Sequence, residues 1–251
     1  MISKGKLKEL ASYRLQKRCD EEAVFVVEGP RLAAEVLASD FVVRVVCATA
    51  EWIAANAGEG EVAGEFYEVS QSELERLSSM RAPNQVWMLV ERNSGERNAM
   101  EPDGTLTLAL DRIQDPGNMG TILRTADWFG VRHVVCSPDT VDCFNPKVVQ
   151  ASMGAVLRTR VDYCDLPQWL AGCGKPVYGA SLQGEPLAAC HSAIGAPSVL
   201  LIGNEGRGIS REAMAQVTHP VLIPNIGGTA ESLNASVATA ILMHWMLTPR
   251  A

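Results

Sequence analysis

Asp115-Pro-Gly-Asn-Met-Gly-Thr-Ile-Leu-Arg124 is the stretch on which the reading of this chain turns. It joins a glycine-containing turn to a helical pattern and follows Leu106–Leu110, an apolar run of strand character. Ile122, Ala126 and Phe129 recur at i, i+4 and i+7, the spacing of a core-facing helical stripe. Arg124 lies about 200° from Ile122 at roughly 100° per residue, so it points away from that stripe. Asn118 falls at the helix N-terminus, where backbone N–H groups lack intrahelical acceptors, and Gly130 stands where a C-terminal cap belongs.

Two further turns repeat the device. Gly203-Asn-Glu-Gly-Arg-Gly208 follows the buried strand pattern Val199–Ile202, and Ile223-Pro-Asn-Ile-Gly-Gly-Thr-Ala-Glu-Ser-Leu-Asn234 precedes a helix that is apolar nearly all round. Such a helix has to be buried on most sides. Other strands are expected at 133–136, 176–181 and 221–223, with helices at about 119–129, 145–157, 210–217 and 232–247. The pattern describes an α/β domain: a mainly parallel sheet with helices on both faces.

The N-terminal third also alternates. Phe25–Val27, Val42–Cys47, Glu65–Val69 and Val86–Val90 are short β-rich runs, and Arg31–Ala38 is a helical pattern between them. Ser70-Gln-Ser-Glu73 fits a capping box, with Ser70 as N-cap and Glu73 at the third helical position. A polar, aperiodic tract then precedes Leu106. The expected organisation is a smaller α/β domain over 1–95, a linker over 96–105 and a second domain over 106–251.

Of the 251 residues, 47% are hydrophobic and 20% charged, an ordinary globular balance. No run approaches the roughly 18 apolar residues of a membrane span, and no apolar signal region follows the basic start, so a cytoplasmic protein is expected. The seven cysteines (19, 47, 136, 143, 164, 173, 190) form no C-x-x-C pair, and the four histidines (133, 191, 219, 244) lack metal spacing. Free thiols and no metal are expected. The net charge is −7, but residues 1–18 hold Lys4, Lys6, Lys8, Arg14, Lys17 and Arg18 against Glu9 alone. That basic arm can supply phosphate contacts; the bland alternative is a solvated helix face. No G-x-G-x-x-G, Walker A loop or H-E-x-x-H is present.

Taken in order, the three turns resemble the motifs of the SpoU (TrmH-like) family of RNA ribose 2′-O-methyltransferases, in the SPOUT superfamily. The resemblance covers roughly Leu106 to the C-terminus and includes Ala151-Ser-Met-Gly-Ala155. Phe25-Val-Val-Glu-Gly29 is similar to the small RNA-binding domain of ribosomal-RNA members. The resemblance implies S-adenosyl-L-methionine as cofactor, a trefoil knot at the C-terminus, and a homodimer through the C-terminal domain. It implies catalytic roles for Asn118, Arg124, Glu205, Ser232 and Asn234, and cofactor contacts at Ser181, Gly203, Ile223, Asn225 and Leu233.

Arginine stays protonated in proteins, so Arg124 is read as orienting the nucleotide and stabilising a developing alkoxide. Asn118 is expected to bond Arg124 or the ribose, and Glu205 to pair with Arg124. Compared with the commoner family pattern, the loop from Ile223 to Leu233 is about one residue longer, and Asn225 stands where Met is frequent. Ribosomal RNA is favoured as substrate over transfer RNA. A catalytically silent RNA-binding protein of the same fold is the reading from another class.

Overall fold

The computed structural model describes residues 2–56, 64–80, 82–92, 105–186 and 196–248. The expected linker at 96–105 falls almost wholly outside these residues, as do Cys190 and His191. The chain divides into two compact units, Met1–Glu96 with Phe144–Leu157, and Arg97–Cys143 with Arg158–Ala251.

In the first unit, helix α1 (Lys4–Ala11) and a 3-10 turn lead through α2 (Gln16–Glu21) to strand β1 (Val24–Glu28). Then come α3 (Pro30–Leu37), β2 (Val43–Ala48), α4 (Ala50–Ala55), β3 (Glu65–Glu68), α5 (Gln71–Leu77) and β4 (Val86–Glu91). The sheet order is β1-β4-β2-β3, with β4 antiparallel to both neighbours and β2 parallel to β3. Val24, Val26, Val45, Cys47, Trp87 and Leu89 form one face, covered by Leu7 and Leu10 of α1 and Leu74 and Leu77 of α5. The capping box of α5 is present as read, Ser70 and Glu73 bonding each other's backbone N–H groups.

The basic N-terminal stretch is not an extended arm. It folds as an amphipathic helix whose leucines enter the core, which follows from Leu7 and Leu10 sharing one side of α1. Lys6 is paired with Glu9 and Glu65, while Lys4, Lys8 and Arg14 remain exposed.

The segment Phe144–Leu157, which carries α7 (Pro146–Ser152) and most of α8 (Ala155–Arg158), clusters with this unit although the sequence reading places it in the second domain. The Phe144 ring lies 4.6 Å from that of Phe25, and Gln150 donates to the Glu28 carbonyl at 3.0 Å. A fragment read only for helical periodicity carries no sign of which sheet it will pack on.

The second unit holds β5 (Leu106–Asp111), α6 (Pro116–Trp128), β6 (His133–Cys136), β7 (Arg160–Tyr163), α9 (Leu166–Gly172), β8 (Val177–Pro186), β9 (Ser198–Gly203), α10 (Arg211–Met214), β10 (His219–Leu222) and α11 (Ala235–Leu247). All five strand pairings are parallel, in the order β10-β8-β9-β5-β6-β7. β5 is buried along its whole length, as a central parallel strand covered on both faces must be. Ala109, Val135, Val199 and Leu201 pack under Trp169 and Leu170 of α9 and Ala213 of α10. On the opposite side, α11 packs against β9 and α6. The edge strand β7 and helix α9 are absent from the sequence reading, because Arg-Val-Asp-Tyr is short, polar and without a strong alternation.

A polar cluster joins β6 to the edge strand β7. Asp162 Oδ2 lies 2.8 Å from His133 Nε2 and accepts from Arg160 Nε at 2.7 Å. Burial pushes the Asp162 carboxyl up, but the bond to His133 and the Arg160 charge outweigh that and hold its pKa below the ordinary value.

Candidate active site

Because the sheet is parallel, the turns after β5, β9 and β10 emerge at one end, the carboxyl end. β5 and β9 are neighbours whose connections leave in opposite directions, the arrangement that opens a crevice in an α/β sheet.

The first turn is set by Asp115, the N-cap of α6, whose Oδ1 accepts from Asn118 N–H at 2.7 Å, with Pro116 entering the helix behind it. This seats Asn118 in the first helical turn with its side chain free to reach outward. Ile122 and Ala126 are buried and Arg124 is exposed, as the spacing implies. Gly130, at φ +72°, ends the helix with Val131 N–H on the Ala126 carbonyl, a Schellman cap.

The second turn closes by a pair of backbone bonds between Asn204 and Gly208. Asn204 Oδ1 accepts from the N–H groups of Gly206 and Arg207 at 3.0 and 3.1 Å, so the Asn side chain shapes the loop that presents Glu205. A Cβ on Gly203 would stand 2.3 Å from the Gly208 carbonyl carbon. The glycine is therefore demanded by the turn's own backbone, whatever contact it makes with a cofactor.

The third turn leads to α11, whose N-cap is Asn234, with Oδ1 accepting from Ser236 N–H at 2.9 Å. Ser232 is exposed, two residues ahead of the cap. In the longer loop before it, Asn225 accepts at Oδ1 from Gly227 and Gly228 N–H at 2.9 and 2.7 Å, and donates at Nδ2 to the carbonyls of Gly228 and Ala230. The polar atoms of Asn225 thus hold the loop together from within.

The three turns meet through one amide. Asn118 Nδ2 donates to Glu205 Oε1, and Asn118 Oδ1 accepts from Asn234 Nδ2 at 2.9 Å. This corrects the expected Glu205–Arg124 pair: Glu205 is bonded to Asn118, and no ion pair of Arg124 is found among the described residues. The physical reason is reach. Arg124 sits more than two turns into α6, whereas Asn118 occupies its first turn.

Beside this junction lies a cavity of about 840 Å³. All five positions expected to contact a cofactor line it (Ser181, Gly203, Ile223, Asn225 and Leu233), together with Glu205 and Ser232. Asn118, Arg124 and Asn234 are not among the lining residues. Its wall is largely aliphatic, with backbone groups of three loops and a few polar side chains, a composition that suits a part-apolar small molecule. Asp111, Arg112 and Asn204, which organise the end of β5 and the second turn, were not singled out from sequence. An Asn two residues before a Gly is the signal that could have marked Asn204.

Among the described residues no group of His, Cys, Asp and Glu is placed to hold a metal ion, and no helix is long and apolar enough to cross a membrane.

Comparison with known proteins agrees with this geometry. By sequence, the chain is 29% identical over 247 residues to the 23S rRNA (guanosine(2553)-2′-O)-methyltransferase RlmP of Bacillus subtilis, covering 95% of this chain and 94% of that one. By structure, it is similar to a TrmH-family protein from Porphyromonas gingivalis, with a TM-score of 0.87, 39% identity and 98% of both chains covered. It is also similar to an AdoMet-bound rRNA methyltransferase from Sinorhizobium meliloti, with a TM-score of 0.86, 27% identity, and 98% and 95% covered. Residues 4–87 match the MRM3-like substrate binding domain. Residues 105–244, which contain all three turns, match the SpoU rRNA Methylase family, and the chain belongs to that family.

Proposed function

We propose that this protein is an S-adenosylmethionine-dependent RNA ribose 2′-O-methyltransferase acting on large-subunit ribosomal RNA. The observation that carries the reading is the Asn118 amide joining Glu205 and Asn234 beside the 840 Å³ cavity, so that the three family turns form one site. The similarity to RlmP, a 23S rRNA methyltransferase, and to the Sinorhizobium meliloti rRNA methyltransferase supports the substrate class.

The cavity fits the cofactor. Its aliphatic wall, from Ile223, Leu233 and neighbouring Ile202, suits an adenine ring, and Ser181 and the loop backbone offer partners for its polar edges. When bound, S-adenosylmethionine supplies a methyl group already activated by its sulfonium charge. The protein's task is then alignment and help with a weakly acidic hydroxyl. Asn118, pinned on both sides, holds its place relative to Glu205 and Asn234. Arg124, exposed on α6, orients the target nucleotide and, once bound RNA covers it, stabilises negative charge growing on the 2′-oxygen. Ser232 stands at the cavity wall as a hydroxyl partner for the ribose.

The first unit is read as the RNA-binding domain, with Lys4, Lys8 and Arg14 as solvent-facing cations, residues 96–105 as the connection and 106–251 as the catalytic domain. The C-terminal chain is read as the trefoil knot of the SPOUT fold. A homodimer would cover α6 and α11, where Trp128 is 86% exposed and Val237 and Ile241 also face solvent. A cytoplasmic location is the reading that accompanies this substrate.

The test is methyl transfer in vitro to unmethylated large-subunit ribosomal RNA, with 2′-O-methyl mapping of total RNA from cells with and without the gene. Loss of one ribosomal site is expected. Cofactor binding without transfer to any RNA would leave only a silent RNA-binding protein.

A further inference from the structure

Arg112, the first residue after β5, is held at φ +59°, in the left-handed region. A side chain there is strained, and long unbranched residues occupy it far less readily than glycine or asparagine. The backbone bonds that hold it are plain. Arg112 N–H donates to Ser137 Oγ at 2.8 Å, and its carbonyl accepts from Asn204 Nδ2 at 2.9 Å. A glycine would make both bonds with less strain, so a backbone role leaves the arginine itself unexplained. Strain of this kind at the end of a strand points to function.

The guanidinium is also incompletely satisfied. Nε is buried and makes no hydrogen bond among the described residues. It forms a long ion pair with Asp111, Nε to Oδ1 at 3.5 Å, while Oδ2 of the same carboxylate accepts from Ser210 N–H at 2.6 Å. The Arg112 side chain is 26% exposed while Nε is buried, so an outside acceptor meets the terminal nitrogens of the guanidinium. It stands at the carboxyl end of the sheet, and its carbonyl anchors Asn204, whose neighbour Glu205 meets Asn118. A planar fork with unfilled donors is matched by a phosphate, which can accept from two of them at once.

We propose that Arg112 is a substrate-binding residue that receives a backbone phosphate of the RNA close to the nucleotide being methylated. This rests on the proposed methyltransferase activity.

The test uses the full-length protein and in-vitro-transcribed large-subunit ribosomal RNA, with Arg112→Gly, Arg112→Gln and Arg112→Lys. Arg112→Gly keeps the left-handed turn and should melt no lower than wild type, with S-adenosylmethionine affinity unchanged by calorimetry. Its KM for RNA should rise roughly tenfold, in the range of a lost charge-assisted bond. The salt slope of its RNA binding should fall by about one. Arg112→Gln should match it, whereas Arg112→Lys, which keeps the charge, should retain the slope. An unchanged KM and slope in Arg112→Gly and Arg112→Gln would overturn the proposal, as would a Lys variant that behaves like Gln. Should wild type itself fail to methylate RNA, the activity reading falls; a fully active wild type with indifferent variants removes only the role of Arg112.

Discussion

Asn234 Nδ2 donates to Asn118 Oδ1 at 2.9 Å across 116 positions of sequence, joining the first turn of α6 to the N-cap of α11. The same Asn234 caps its own helix through Oδ1, and the same Asn118 donates to Glu205 through Nδ2. Each amide uses both ends, so neither can rotate without losing a bond at each.

Replacing Asn118 by Asp keeps the shape but sets a carboxylate against Glu205 in place of a donor. Methyl transfer should fall by about 10²–10³, the range seen for losing one fixed polar group. Cofactor affinity should change little, because Asn118 does not line the cavity. Single-turnover transfer and titration calorimetry on the same preparation check both halves; a loss of affinity equal to the loss of rate would move Asn118 into cofactor binding.

Arg124→Ala should likewise reduce transfer at least ~100-fold with cofactor affinity nearly unchanged. Arg124→Lys should not restore it, because an ammonium is a point charge without the planar fork. Turnover within a few fold of wild type in either variant would take Arg124 out of the mechanism.

Asn225→Ala removes an amide that makes four bonds to its own loop. Since the loop is exposed, thermal stability should hardly move. The loop would pay more ordering entropy on binding, and S-adenosylmethionine should bind roughly tenfold more weakly, in line with one or two net hydrogen bonds. Calorimetry decides it, and unchanged affinity would mean the loop is ordered by something else.

Asp162 makes stability depend on acid. Its pKa in the folded protein is below the ordinary carboxylate value, because His133 and Arg160 outweigh the cost of its burial. The stabilisation is therefore present above the unfolded pKa near 4 and is lost as pH falls through the lower folded value. Asp162→Asn should lower Tm by roughly 3–10 °C at pH 7, from one charge-assisted bond of about 1.5–3 kcal/mol. The gap to wild type should narrow below about pH 4; melting curves with a constant gap from pH 7 to pH 3 would contradict this.

Trp128 should be part of a contact between copies. Trp128→Glu is expected to shift the protein toward monomer in sedimentation at micromolar concentration without lowering its melting temperature by more than a few degrees, since the side chain is exposed within one chain. A wild-type protein that sediments as monomer while fully active would remove the dimer.

What the sequence determined by itself was local. The helix at Pro116–Trp128, with Ile122 and Ala126 inward and Arg124 outward, follows from a period of 3.6; the Ser70–Glu73 box follows from side chains bonding nearby backbone, and the Gly130 cap from a glycine free to take positive φ. The parallel sheet was legible as a class because buried parallel strands read as largely apolar runs, as Leu106–Leu110 and Val199–Ile202 do. The polar edge strand Arg160–Tyr163 carries no such mark, and its partner His133 lies 27 positions before it. Only the tertiary structure decided that Glu205 bonds Asn118 and leaves Arg124 to solvent, that Phe144–Leu157 packs with the first unit, and that Gly203 is small because Gly208 crosses it. Those outcomes depend on where one strand end lies beside another, and strand order is a long-range choice that periodicity and turn chemistry, acting over a few residues, do not encode.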